Sequence, residues 1–191
     1  MRARCAEMRA GFTLIEILIV IGILSILASL SLAGVMAAKN HAKKSHALAF
    51  VATLGGQAEH YYQDTGSYPR AKGDDEENEF PALFEALCGE RPPHGNGGPG
   101  GPYLTFRRAE VFVPDGDGES YRPATAGEVD SPGISRYVLD PWGHPYVYHE
   151  NRSRPPRPHR VLPRKFDLYS LGPDGIDQTR NGEPGDDIGD W

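Results

Sequence analysis

Six acidic side chains, Asp174, Asp177, Glu183, Asp186, Asp187 and Asp190, crowd the stretch LGPDGIDQTRNGEPGDDIGDW, with Arg180 as the one base among them. Carboxylates at that density repel one another, and the interspersed glycines leave neither helical nor strand periodicity. Such a segment stays disordered unless something neutralises it. A hard cation does so: calcium takes about six to eight oxygens from carboxylates, backbone carbonyls and water, in irregular geometry. Glycines let carbonyls turn inward. No cysteine and no suitably spaced histidine stands nearby, which disfavours zinc and copper. Composition alone leaves a calcium site and a solvated acidic tail as equal readings.

The second candidate is a single carboxylate, Glu16, inside the apolar run GFTLIEILIVIGILSILASLSLAG. Residues 12–38 carry no other charge and exceed the roughly 20 residues needed to cross a ~30 Å hydrocarbon core. The run is also too long for the core of a typical cleaved signal peptide. Arg2, Arg4 and Arg9 precede it, so the positive-inside tendency keeps the N-terminus cytoplasmic. Lys39, Lys43 and Lys44 on the far side act against that tendency. A carboxylate at the centre of a membrane helix costs about 2.5–3.5 kcal/mol on insertion scales, and less near its end. A group that bears part of that cost calls for a function, the bland alternative being a simple signal anchor.

Other chemistry finds little support. The histidines (His41, His46, His60, His94, His144, His149 and His159) are scattered through helix, loops and turns, without metal spacing or a Ser or Cys partner. No Gly-rich phosphate loop is present, so an enzyme is not expected. The net charge of −6, set by 26 acidic against 20 basic residues, argues against nucleic acid as a partner. Cys5 lies in the basic leader and Cys88 in the body, where it reads as a small buried hydrophobe. PDGDGE, residues 114–119, has the composition of a calcium loop but lacks the ligand count and closing Glu of an EF-hand, which leaves a polar hairpin turn.

The elements that position these groups follow from periodicity. Beyond residue 38 the pattern turns amphipathic, with Leu48, Val51, Leu54, Ala58 and Tyr61 spaced for one helical face. A helix continuous from the apolar run would be roughly 75 Å long. Gly55-Gly56 marks either a bend or the close approach of a strand, and QDTGSYP supplies stop chemistry. FPALFEALCG reads as a short helix, with Pro81 in its first turn and Gly89 at its end. RYVLDPWGHPYVYH and KFDLYSLG alternate as half-buried strands. RSRPPRPHR between them, with its prolines, reads as an exposed loop. The expected fold is α+β: a long N-terminal helix packed on a small antiparallel sheet with a loop-rich C-terminal region.

GFTLIE, residues 11–16, ahead of a long apolar helix resembles the class III signal of type IV pilins and pseudopilins. YYQDTGSYP, DPWGHPYVY, FDLYSLGPDG and DDIGDW, in that order, are similar to the major pseudopilin of type II secretion systems, a pilin-like family. The resemblance implies cleavage by a prepilin peptidase between Gly11 and Phe12 and N-methylation of Phe12. It gives Glu16 an assembly role, pairing with the new amine of its own or a neighbouring chain and setting helix register. It implies calcium at the backbone carbonyl of Leu171 and the carboxylates of Asp174 and Asp186, with Asp187 adjacent. Asp177 and Glu183 have no assigned role.

Five segments are expected: a cleaved leader over 1–11, a transmembrane and assembly helix over 12–38, and its amphipathic continuation over 39–63. A variable loop-rich region over 64–135 with a short helix near 81–88 follows, then strands and the acidic loop over 136–191. The implied function is a structural, non-enzymatic subunit of a periplasmic pseudopilus that drives export of folded proteins. Its partners would be further copies of itself in a helical filament, the prepilin peptidase, minor pseudopilins and an inner-membrane assembly platform. The chain would be a single-pass protein of the bacterial inner membrane with its soluble part periplasmic. The alternatives are a subunit of a type IV or competence pilus, and a monomeric calcium-dependent adhesin.

Overall fold

The computed structural model describes residues 12–71, 78–88, 102–116, 118, 120–131, 133–151, 165–179 and 185–189. The leader with Gly11, the acidic loop, the Gly/Pro loop, most of the basic loop, Glu183 and Asp190 lie outside the described residues. Two compact units divide the chain, Met1–Ala42 and Lys43–Trp191. That boundary falls a few residues beyond the change in sequence pattern at 38.

In the first unit, helix α1 (Leu14–Thr65) begins with its large apolar side chains exposed, from Phe12 to Leu27 and again at Val35 and Met36. By length and composition α1 suffices to cross a membrane. Two of its serines satisfy themselves on the helix backbone: Ser25 Oγ donates to Ile21 O at 2.7 Å and Ser29 Oγ to Ile26 O at 2.8 Å. No water is needed for either hydroxyl, as a hydrocarbon surrounding requires.

In the second unit, α1 buries a face made of Ala47, Val51, Leu54, Ala58 and Tyr61. Four of these were expected from periodicity. Leu48 was also expected on that face, yet it is 46% exposed and Ala47 takes its place. The steps of four, three, four and three from 47 to 61 keep to one stripe of a 3.6-residue helix, whereas 48 falls a full residue off it. The helix ends where Gly66 adopts φ +77° and its N–H donates to Tyr62 O at 2.8 Å, a left-handed glycine cap.

Helix α2 (Phe80–Cys88) buries Leu83, Phe84 and Leu87 against this face. Asn78 fixes its start: its Oδ1 accepts from Phe80 N at 2.9 Å and Tyr148 N at 3.1 Å, and its Nδ2 donates to Tyr146 O at 2.9 Å. The span 64–135, expected to be loops around one short helix, also holds a hairpin and a second helix. Strands β1 (Phe112–Pro114) and β2 (Tyr121–Pro123) pair antiparallel, and helix α3 (Ala126–Asp130) follows. The β1–β2 turn contains PDGDGE, closed by Asp115 N donating to Ser120 O at 2.7 Å, which answers that motif as a hairpin.

The second sheet is antiparallel, with β4 (Phe166–Ser170) between β3 (Val147–Glu150) and β5 (Ile188–Gly189). The half-buried alternation expected of KFDLYSLG is not what the structure shows: all five residues of β4 are buried. Phe166 lies against α1, its ring 3.8 Å from where a side chain at Gly55 would begin, so the glycine marks a strand approach. The other face is covered by the C-terminal loop: Tyr169 Oη donates to Asp177 Oδ2 at 3.0 Å. Lys165 Nζ, 2.7 Å from Glu59 Oε1, ties the start of β4 to α1 and, as the largest influence, holds the Glu59 carboxyl below its ordinary range. This is the expected α+β architecture.

Candidate functional site

At the N-terminal site Glu16 has a partner within its own chain. Its Oε2 accepts Thr13 N at 2.9 Å and Thr13 Oγ1 at 2.8 Å, and Glu16 N lies 3.4 Å from Thr13 Oγ1. Thr13 directly precedes Leu14, so the pair forms a capping box that supplies acceptors for the free N–H groups opening α1. Thr13 was missed as a functional residue, although the spacing Thr-x-x-Glu before an apolar run is that motif's signature. Phe12 is 83% exposed beside it.

The C-terminal site is the loop between β4 and β5. Asp187 is buried, and its Oδ2 gathers Gln178 N at 3.0 Å, Thr179 N at 2.9 Å and Thr179 Oγ1 at 2.7 Å. Its Oδ1 is buried with no hydrogen-bond partner. Burial raises the Asp187 carboxyl above its ordinary range, against the lowering effect of the Thr179 donors. Asp186 packs against Gly172: a Cβ there would lie 2.5 Å from Asp186 O and 2.9 Å from its Oδ2. With φ +67° at Gly172, that close approach admits no side chain.

Asp174, by contrast, is exposed and already engaged. Its Oδ1 accepts Ile176 N at 2.8 Å and its Oδ2 accepts Gln178 Nε2 at 2.6 Å. Gln178 is the hub of the loop, its Oε1 accepting Asp186 N at 2.7 Å. Leu171 is half-buried at the end of β4. Among the described residues no three His, Cys, Asp or Glu side chains gather to hold a metal. The expected set is thus only partly assembled: Asp186 and Asp187 crowd together on the loop, while Gln178 holds Asp174. The partnerless buried oxygen of Asp187 is the feature that suits a cation. Asp177, without a role in the sequence, serves as acceptor for Tyr169.

The DPWGHP hairpin supports this loop. Asp140 Oδ1 accepts Trp142 N and His144 N, both at 2.9 Å, an Asx turn, and its Oδ2 accepts Ser170 Oγ at 2.6 Å. Ser170 Oγ in turn accepts Gly172 N at 3.1 Å, and His144 Nδ1 lies 3.0 Å from Gly172 O. Nothing functional was expected of His144, yet its ring is one wall of the loop: a side chain at Gly175 would meet it at 2.6 Å. Asp before a Pro-Trp-Gly turn was the available signal, since Asp favours its own backbone two residues on.

An apolar helix that opens on a capped polar motif and then packs on a small antiparallel sheet defines a pilin-like protein. Residues 8–32 match the prokaryotic N-terminal methylation motif. The chain is 30% identical over 185 residues to type II secretion system core protein G of Klebsiella pneumoniae, covering 97% of this chain and 96% of that protein. It is 29% identical to the protein of that name from Pseudomonas aeruginosa (96% and 95% covered) and 28% identical to that of Aeromonas hydrophila (96% and 92%). No solved structure matches the chain. The chain belongs to the type II secretion system core protein G family, the major pseudopilins, and is a structural subunit rather than a pilus pilin. The apolar start of α1 makes it a membrane-anchored protein.

Proposed function

We propose that the chain is cut between Gly11 and Phe12, methylated on Phe12, held in the inner membrane by one span, and drawn helix-first into a periplasmic filament that drives export of folded proteins. The observation that carries this reading is the relation to core protein G over 97% of the chain, joined to a methylation motif at residues 8–32. Its partners are further copies of the chain, the prepilin peptidase, minor pseudopilins and an assembly platform.

Cleavage frees an α-amine with an ordinary pKa near 8, positive in a low-dielectric setting where opposite charges attract strongly. The Glu16 carboxylate has one oxygen in the capping box, and its Oε1 accepts no hydrogen bond among the described residues. Oε1 is the atom for such an amine, on its own chain or a neighbour's, and the pairing sets the register of stacked helices.

Calcium belongs to the same reading. Asp186, Asp187 and the Leu171 carbonyl hold it, with Asp174 exchanging Gln178 for the cation. The metal supplies charge that keeps the loop folded. The partnerless Asp187 Oδ1 supports this set. With calcium ~100-fold above its Kd, the expected stabilisation is roughly 2.7 kcal/mol. Thermal melts of the unit from Lys43 onward, with calcium and with chelator, test the site, and equal midpoints remove calcium from the account. Intact mass of the chain from its native membrane tests the processing: it should begin at a methylated Phe12, and a chain that keeps residues 1–11 contradicts it.

A further inference from the structure

The second unit carries a groove of about 320 Å³ between α1 and the β1 region. Phe50, Phe106, Phe112 and Tyr146 form much of its wall. Tyr146 is 1% exposed, and its hydroxyl has no hydrogen-bond partner. Burial, and then the nearby Asp140 charge, push that phenol well above its ordinary range, so it remains a neutral donor. A wall of aromatic rings suits an apolar side chain.

The same unit offers such a side chain. Apart from Leu48, Ile176 is the one strongly exposed large apolar residue of this unit among the described residues, at 61%. Its backbone N–H is pinned to Asp174 Oδ1, so it sits in a formed turn. Charge separates the two candidates. The rim of the groove at Ala109 is preceded by Arg107 and Arg108, both exposed and without an ion pair among the described residues. Glu110 on that rim has a carboxylate oxygen on Arg107 N at 3.0 Å. Ile176 stands in the acidic loop next to Asp177, whose charge complements the two arginines, whereas Leu48 lies one helical turn from Lys44.

We propose that the groove receives Ile176 of a second copy of this chain. Knob and groove are different surfaces of one molecule, so each copy uses both. Such a head-to-tail contact propagates as an open helical filament rather than closing as a dimer. The inference rests on the polymerisation reading above and adds where the globular units grip. It also gives the acidic loop a second task, because the turn that holds Ile176 is the loop that calcium would order.

The test uses the full chain with its secretion apparatus. Two single-cysteine versions of different tag length, Ala109→Cys and Ile176→Cys, each with Cys88→Ser, are produced together and their filaments oxidised. The expected product is a mixed disulfide dimer of the two lengths. Filaments that form without it, or that give mainly same-length dimers, overturn the proposal while leaving polymerisation intact. A chain with no substitution that forms no filaments overturns both. In parallel, Ile176→Asp should keep the melting temperature of the unit, since the side chain is exposed, and lower filament yield about tenfold or more. Ile176→Val should restore it, and an unchanged yield in Ile176→Asp refutes the contact.

Discussion

Replacing Asp140 by alanine should be among the most damaging single changes in the second unit. The side chain is fully buried and is the common acceptor for Trp142 N, His144 N and Ser170 Oγ, the last at 2.6 Å. Hydrogen bonds to a charged group contribute about 1.5–3 kcal/mol each, though bonds that share one acceptor are not additive. Removing the carboxylate also strands the Ser170 hydroxyl in the interior and leaves two half-buried N–H groups without their acceptor. Together these give a loss of about 3–5 kcal/mol, the range for breaking a buried polar network. For a unit of this size each kcal/mol moves the midpoint by about 2–4 °C, so the fall should be on the order of 10 °C. Asp140→Asn keeps an oxygen for the turn and should lose clearly less. Because Ser170 and His144 hold Gly172, the alanine variant should also respond more weakly to calcium. The assay is thermal and urea unfolding of the unit from Lys43 onward, with and without the metal. A loss below about 1 kcal/mol, or equal losses for Ala and Asn, refutes the hub.

Glu128 accepts from Arg122 Nη1 and Nη2, at 2.9 and 2.6 Å, and from the Thr125 cap. Arg122 first, then Thr125, lower its carboxyl to about 2. A depressed acid stabilises the fold above its unfolded value near 4.5 and loses that contribution as pH falls toward 2, so Glu128→Gln should flatten the acid limb of a stability profile over that window. Cys88, half-buried and with its thiol pushed up to about 12 by desolvation, should be labelled by a thiol reagent at pH 8 far more slowly than in the unfolded unit; labelling at the rate of a free thiol contradicts that environment. Gly172→Ala should destabilise the unit by at least about 1 kcal/mol from the left-handed backbone alone, plus the clash with Asp186, and an unchanged urea midpoint contradicts the close approach.

The long helix, its stop at Gly66 and the strand after DPWGHP were legible because each follows from local chemistry: apolar length, a left-handed glycine, a short β-branched and aromatic run after a turn; before the turn the structure has only isolated bridges at Tyr137 and Leu139. What escaped was set by tertiary neighbours. Leu48 and Ala47 differ by one position on a helix whose buried stripe depends on where α2 and β4 lie. Asp167 and Tyr169 look like outward residues of a strand, yet both are buried, and Tyr169 meets Asp177 of the loop that follows β4 and folds back over it. The β1–β2 hairpin and α3 are too short to stand out in a stretch dominated by turn residues. At the acidic loop, composition pointed to the carboxylates. It gave no sign that the neutral Gln178 and Thr179 would organise them, because amide and hydroxyl partners have no spacing rule. Glu16 was found as an anomaly of charge, and its partner Thr13 lay three residues away in a pattern that reads as ordinary helix-start chemistry.

The central claim is that the N-terminal helix is built to polymerise and not merely to anchor. The most direct measurement is electron microscopy of fibres sheared from cells producing the full chain together with the rest of its secretion system, comparing it with Glu16→Ala. The account predicts that both chains reach the membrane in equal amount and that fibres are abundant for the first and absent for the second. Fibres of normal number and length from Glu16→Ala would contradict it.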